Sequence, residues 1–425
     1  MKNKKALYLL LSANAVSGMA QGISMLAIPW YFADVLKQSS SFGIMYGTAT
    51  ILSLFWGLYV GTLIDKYSRK NIFLTISIVG TLFIGSIAAF GFYNGGLSAI
   101  SIGAVFCYTM FVYNIHYPTL YAFGQEISDK KDYRKINSLI EVQGQSTSII
   151  AGALAAVLIT GINTELLAKL GLSNFDCLLI EPWQMHEIFL LDAITYALAL
   201  GLISLIKYEK TFVETMNSGN IFNRLKSGFS YLKEHPLILH FGVGSFAIFV
   251  VVLIHIHQLL PIYISNHLNQ DASIYASAEV LQALGALSAG LGIHRVFMKT
   301  NTIKAIIILM SLAIVTLLVL VFTKSPIVLV ISCFVLGLTN SGSRIMRVTY
   351  IFNHIPNNII GRTGSVFQSI NIFLRFTFIG IFSLAFFSKE NNIIWTYFIG
   401  AGFILLSLYP LLFYYKRLIN LKQPG

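Results

Sequence analysis

Stretches of about twenty consecutive apolar residues, the length a helix needs to cross about 30 Å of hydrocarbon, recur along this chain from Ala6 to Tyr415. Twelve segments meet the requirement, at about 7–33, 41–64, 71–93, 97–122, 138–160, 187–207, 237–264, 273–294, 302–323, 326–350, 362–387 and 393–415. Composition agrees, because 56% of the 425 residues are hydrophobic, only 11% are charged and the mean hydropathy is +0.73. Charged side chains this few cannot cover a water-facing surface, so lipid is the expected solvent and an ordinary soluble enzyme is excluded. The expected fold is an all-α membrane protein of twelve transmembrane helices in two six-helix bundles.

Charge then orients the spans. The formal net charge is +12, yet the basic residues stand in short clusters between apolar segments rather than in one nucleic-acid-binding stripe. Of the 29 Lys and Arg, twenty-four fall in alternate connections that include both termini, four (Lys37, Lys169, Lys324, Lys389) fall in the other set, and Arg375 lies inside a span. By the positive-inside rule both termini are expected in the cytoplasm, with the protein in the cell inner membrane. Ala6 to Phe32 is too long for a signal-peptide core and reads as a retained first span. Cys107, Cys177 and Cys333 are far apart and suggest neither a disulfide framework nor a zinc site.

The longest basic connection, Lys207 to Pro236, divides the chain into an N-terminal bundle over 1–206, a linker over 207–236 and a C-terminal bundle over 237–425. Within the linker, Ile221 to Leu232 sets apolar residues at helical spacing opposite Arg224 and Lys226, which predicts a short amphipathic helix on the cytoplasmic membrane surface. An outward loop over 161–186 carries Cys177 and Pro182.

Directly after the second span stands Gly61-Thr62-Leu63-Ile64-Asp65-Lys66-Tyr67-Ser68-Arg69-Lys70. The glycine permits close helix approach, Asp65 suits a helix N-terminus or a cation, and Arg69 and Lys70 bring cations to the same end. This stretch resembles the G-x-L-x-D-R-x-G-R-[RK] loop of the major facilitator superfamily, in which the loop latches two halves in the outward-facing state; the resemblance implies that role for Gly61, Asp65, Arg69 and Lys70. Parallel repeats are a known feature of that fold, and a second copy is found after span eight, where Gly290, Arg295 and Lys299 match but His294 replaces the aspartate. Shorter stretches, Ala27-Ile28-Pro29-Trp30-Tyr31, Pro118 through Glu126, Asn137-Ser138 and Gly228 through Pro236, resemble the branch of macrolide efflux proteins and the enterobactin exporter. Two antiporter signatures are missing: span four reads Asn114-Ile115-His116-Tyr117-Pro118 without an arginine, and span five keeps Gly144 and Gly152 without a proline. Proton coupling is therefore implied by the resemblance.

Polar side chains at membrane depth are costly, so their placement points to cavities. Asn14, Ser17, Gln21 and Ser24 share one face of span one, Glu141, Gln145, Ser148 and Gly152 one face of span five, and Gln368, Asn371 and Arg375 one face of span eleven. Asn14, Gln21, Gln145, Gln368, Asn371 and Arg375 are the expected lining of a substrate cavity. Glu141 is either a coupling carboxylate or the closing residue of a capping box with Ser138. Arg375 either contacts substrate or pairs with an acid, Asp192 or Glu279, which with Glu141 are the ion-coupling candidates. Arg344 and Arg347 approach the end of span ten, where snorkelling to headgroups or a gate is expected. His255 and His257 in span seven are too few for a metal site. No phosphate-binding loop and no catalytic constellation occurs, so neither a cofactor nor an enzymatic activity is expected.

The expected function is a secondary exporter, acting as a monomer by alternating access on a small amphipathic molecule such as a drug, a macrolide-like compound or a siderophore, with protons as the coupling ion. Uptake or flipping of a nutrient, siderophore or lysolipid is the alternative, and a non-transporting receptor or scaffold is the reading from a different class.

Overall fold

The computed structural model describes residues 4–129, 133–162, 179–207 and 221–421. The side chains of a few helical residues, among them Gly61, Asp65, Ser138 and Glu141, also lie outside the description, as do Lys169 and Cys177. The helices are α1 (Lys4–Trp30), α2 (Ser39–Lys66), α3 (Arg69–Asn94), α4 (Ala99–Glu126), α5 (Tyr133–Thr160), α6 (Met185–Ser204) and α7 (Ile221–Glu234). They continue as α8, a composite span over Pro236–Leu268, then α9 (Ala272–Val296), α10 (Thr302–Phe322), α11 (Pro326–His354), α12 (Asn357–Phe382) and α13 (Ile394–Phe413). Eleven of these are long and apolar enough to cross a membrane among the described residues, and α2, at 28 residues, is of spanning length too. No strand occurs among the described residues; one isolated bridge joins Ile162 to Ile180.

Boundaries fall where side chains satisfy free backbone groups. Ser68, Ser98 and Asn301 accept from the amides of Asn71, Ser101 and Lys304 at 3.2, 3.2 and 2.8 Å, starting α3, α4 and α10. Gly95 ends α3 in the left-handed region, with φ +67°. Large apolar side chains such as Ile100 and Phe322 are 81% and 84% exposed, as a lipid-facing surface requires.

By internal contacts the chain forms two compact units, neither of them a single run of sequence. Unit 1 comprises 1–38, 55–216 and 270–280; unit 2 comprises 39–54, 217–269 and 281–425. In unit 1, α6 packs against α3 and α1, and α1 also packs against α5. In unit 2, α10 packs on α13 and α11, and α7 lies along α12 with Leu232 fully buried. Gly285 and Gly337 let α9 and α11 meet backbone to backbone, since a Cβ at either would sit 2.0 Å from the carbonyl oxygen of Phe334 or Gln282.

Pro-x-Tyr occurs in α1 of unit 1 as Pro29-Trp30-Tyr31 and in α8 of unit 2 as Pro261-Ile262-Tyr263. A wide π-helical turn begins at each tyrosine, over Tyr31–Val35 and Tyr263–Leu268, and α8 has another over His255–Leu259. A proline inside a helix offers no amide and crowds the carbonyl four residues earlier, which favours such widening.

Candidate functional site

Unit 1 gathers its polar residues around α1. Asn14 Nδ2 donates to Gln143 Oε1 at 3.2 Å, and Asn14 Oδ1 lies 2.7 Å from His116 Nε2. Because an amide oxygen only accepts, His116 donates from Nε2. Gln143 Nε2 in turn donates to the Leu11 carbonyl. One directed chain thus ties α4 through α1 to α5, with the Phe73 ring edge-on to the imidazole at 5.0 Å. Beside it lies a small cavity of about 50 Å³ lined by Asn14, Gln21, Tyr113, His116, Tyr117 and Ser148 among others. Gln21 is 1% exposed and its Nε2 has no partner among the described residues. Ser17 is turned away, donating to the Ala13 carbonyl at 3.0 Å.

This cavity contains Asn14 and Gln21 as expected, but from α5 it takes Gly144, Thr147 and Ser148 rather than Gln145. Gln143, two residues before Gln145 and so on the opposite helix face, is the α5 amide that engages α1. His116, Gln143, Tyr113 and Tyr117 were not singled out by periodicity, although the His116-Tyr117 pair was visible as a polar break in an apolar span.

Asp192 of α6 is fully buried. Ser24 Oγ donates to its Oδ2 at 2.8 Å, while Oδ1 has no partner among the described residues. Tyr108, Tyr113 and Tyr196 lie close enough to feel its charge, and Tyr113 also lines the cavity. Glu279, in the part of α9 belonging to unit 1, has Oε1 enclosed without a partner beside Tyr275, whose ring stacks on Trp30 at 5.7 Å. Neither acid meets a cation of its own unit among the described residues. Glu141 is helical, with its side chain outside the described residues.

Unit 2 holds a second polar group. Asn371 is 1% exposed with both amide atoms unpartnered among the described residues, and one turn on, Arg375 is 7% exposed with Nε unpartnered. Tyr46 and His257 lie close to the guanidinium, and their rings meet edge-on at 5.8 Å. Gln258 donates to Ser383 Oγ at 3.2 Å. Gln368 is exposed. Of the suggested partners of Arg375, Asp192 and Glu279 both belong to unit 1.

For Arg347, though not for the exposed Arg344, the snorkelling half of the expectation for span ten is corrected. Rather than snorkelling, the Arg347 guanidinium is buried at 4% exposure, donates to the Ser245 carbonyl at 2.8 Å and lies 3.8 Å over the Phe246 ring. The α-helix of α8 is broken between Ser245 and Ala247, which frees that carbonyl. His255, likewise, is spent inside the unit, between Tyr397 Oη at 3.0 Å and Cys333 Sγ at 3.6 Å.

At the loop after α2, Arg69 forms an ion pair with Glu126 of α4 at 3.5 Å, and Lys70 Nζ donates to the Ser204 and Ile206 carbonyls at 2.9 and 2.7 Å. The lysine thereby satisfies the end of α6, a favourable place for a cation. In the second copy the His294, Arg295 and Lys299 side chains are exposed and make no hydrogen bond or ion pair among the described residues.

No curated protein matches the chain in sequence. Solved structures with the same fold include a bacterial homologue of the human lysosomal transporter Spinster in an inward-facing, unoccupied state, at TM-score 0.73 and 10% identity over 100% of each chain. The nucleoside transporter NupG aligns at TM-score 0.69 and 14% identity over 98% of this chain and 100% of its own, and a D-xylose-proton symporter at 0.67 and 13% over 95% and 97%. The model of the Major Facilitator Superfamily matches residues 10–379, and the chain belongs to that family as a multi-pass secondary transporter of small molecules and not an enzyme.

Proposed function

We propose that the protein exports a small amphipathic molecule by alternating access, driven by protons. The observation that carries this reading is the unit 1 cavity, where phenol and imidazole rings adjoin the unpartnered amide of Gln21. Aromatic faces with a few convergent polar groups suit a molecule with a broad apolar body and scattered hydrogen-bonding atoms. Holding a carboxylate without a cation away from water costs several kcal/mol, so a site such as Asp192 must take a proton whenever it is closed to water. Tyr113, shared between that acid and the cavity, links proton and cargo.

In this reading the protein works as a monomer in the cell inner membrane with both termini in the cytoplasm, its two six-helix bundles moving against each other. The loop Gly61, Asp65, Arg69, Lys70 acts as the latch. Export rather than uptake is supported by the resemblance of the short stretches from Ala27 to Pro236 to efflux proteins.

The test is accumulation of a panel of neutral, cationic and anionic amphipathic dyes in cells with and without the protein, with and without an uncoupler. Lower accumulation that the uncoupler reverses supports proton-driven export. Higher accumulation in expressing cells replaces export by uptake, and equal accumulation across the panel removes the reading of amphipathic export.

A further inference from the structure

Arg375 is a cation at membrane depth whose counter-charge is missing from its own unit. Unit 2 contains just two acidic residues, Glu234 and Glu390. Glu234 is the last residue of α7 and Glu390 lies beyond the end of α12, and no ion pair joins Arg375 to an acid among the described residues. The guanidinium is 93% buried by its 7% exposure, with Nε unpartnered, and Asn371 one helical turn away is 99% buried by its 1% exposure, with Nδ2 and Oδ1 both unpartnered. Around them stand a phenol, Tyr46, and an imidazole, His257. The group therefore offers one positive charge, a planar fork and an amide donor, and no negative charge.

An unpaired charge held in low dielectric is expensive. A buried arginine in a structural ion pair would have its acid beside it; this one has neutral, hydrogen-bonding neighbours instead. Arginine presents parallel N–H groups that match the two oxygens of a carboxylate, and an amide N–H beside it supplies the next donor.

We infer that Arg375 and Asn371 form the recognition point for the carboxylate of an organic anion, so that the molecule moved is an amphipathic acid rather than a neutral or cationic compound. This rests on the transport reading above and narrows its cargo. The same donors would accept any oxyanion, so a free inorganic anion is the competing source of charge.

The experiment is thermal unfolding of the purified full-length protein in detergent with matched probes: 2-naphthoate against 2-naphthamide, indole-3-acetate against indole-3-acetamide, and sodium phosphate alone. The expected result is a rise in Tm with at least one carboxylate, at least tenfold weaker half-saturation with its amide, and no rise with phosphate. Arg375→Met should abolish the response to the carboxylate, and Arg375→Lys should weaken it about tenfold by losing the fork. Without ligand, Arg375→Met should leave Tm unchanged or raised, because an unpaired buried cation is removed; a structural ion pair would give a fall. Should Arg375→Met not fold, Arg375→Lys and Asn371→Ala, each expected to weaken the carboxylate response, take its place. The inference is overturned by an amide that acts as well as its carboxylate, by phosphate alone reproducing the shift, by a panel in which no carboxylate acts, or by an unaltered response in these variants. An amide that binds wild type equally well would overturn the anion assignment and leave the export reading standing, whereas equal dye accumulation in cells removes the export reading itself.

Discussion

Replacing Asp192 by asparagine separates the structural work of this residue from its proposed work as a proton carrier. Ser24 Oγ donates to Asp192 Oδ2 at 2.8 Å, and an asparagine oxygen at the same place accepts the same bond. A neutral hydrogen bond is worth about 0.5–1.5 kcal/mol net, and since it is kept, Asp192→Asn should change stability by less than about 1 kcal/mol. Ser24→Ala is the contrasting variant: it removes the donor and leaves a fully buried carboxyl with neither oxygen partnered, at about 1–3 kcal/mol. For transport the order reverses. One proton moving through about 100 mV supplies about 2.3 kcal/mol, enough for a gradient of roughly 50-fold given about 1.4 kcal/mol per factor of ten. Asparagine carries no proton, so the accumulation ratio in proteoliposomes under an imposed potential should fall from that order to about one, while exchange without a gradient persists. The assay pairs this ratio with thermal unfolding of the same preparations. Asp192→Asn that still concentrates its cargo tens of fold refutes the assignment, and one that unfolds many degrees lower shows that the carboxyl, not its shape, holds unit 1 together.

Other perturbations test other parts. Asp65→Asn should slow transport at least tenfold with membrane insertion intact, and His294→Ala, in a copy whose Arg295 and Lys299 side chains make no hydrogen bond or ion pair among the described residues, should keep more than half the rate; transport rates of both variants check this, and a wild-type rate in Asp65→Asn removes the latch. Asn14→Leu breaks the chain from His116 to the Leu11 carbonyl and leaves a buried N–H donor unpaired, so thermal unfolding should show a loss of about 1–3 kcal/mol, with Asn14→Leu plus Gln143→Leu costing less than the sum of the two. Lys70→Met should cost about 0.5–1.5 kcal/mol by freeing the α6 carbonyls, read as a lower Tm with unchanged cargo affinity.

Much of the fold was legible because the pattern that encodes it is local. Spans expected at 71–93 and 302–323 are helices at Arg69–Asn94 and Thr302–Phe322, since a run of apolar residues closed by Ser68 or Asn301 needs no distant partner to be read. The site was less legible. Asn14 and Gln21 share a face of α1, which helical spacing reveals, and both line the cavity. Gln143 was overlooked beside Gln145 because spacing ranks a stripe by its own members, whereas the residue α1 selects is decided by how α5 is turned against it. His116 was hidden for a related reason: a single histidine in an apolar span carries no periodicity, and its role appears only when Asn14 supplies an acceptor at 2.7 Å.

The two arginines at membrane depth show why depth along a helix does not fix a role. By the expected spans 326–350 and 362–387, Arg347 stands three residues from an end, within reach of headgroups, and Arg375 twelve from the nearer end, yet both are buried, at 4% and 7% exposure. What differs is the backbone opposite each. At Phe246 the helix of α8 breaks, and the freed Ser245 carbonyl with the Phe246 face occupies the Arg347 guanidinium at 2.8 and 3.8 Å. A hydrogen bond to a charged group is worth about 1.5–3 kcal/mol and a desolvated cation–π contact about 2 kcal/mol, so Arg347 is held by groups that are always present. Among the described residues no backbone carbonyl accepts a hydrogen bond from Arg375; its neighbours are a phenol, an imidazole and an amide with neither atom used. Arg347→Met should therefore lower Tm with no dependence on ligand, and the stability of an Arg375 variant should depend on which anion is in solution. If both arginines responded alike to ligand, the distinction drawn from the Ser245 carbonyl would fail.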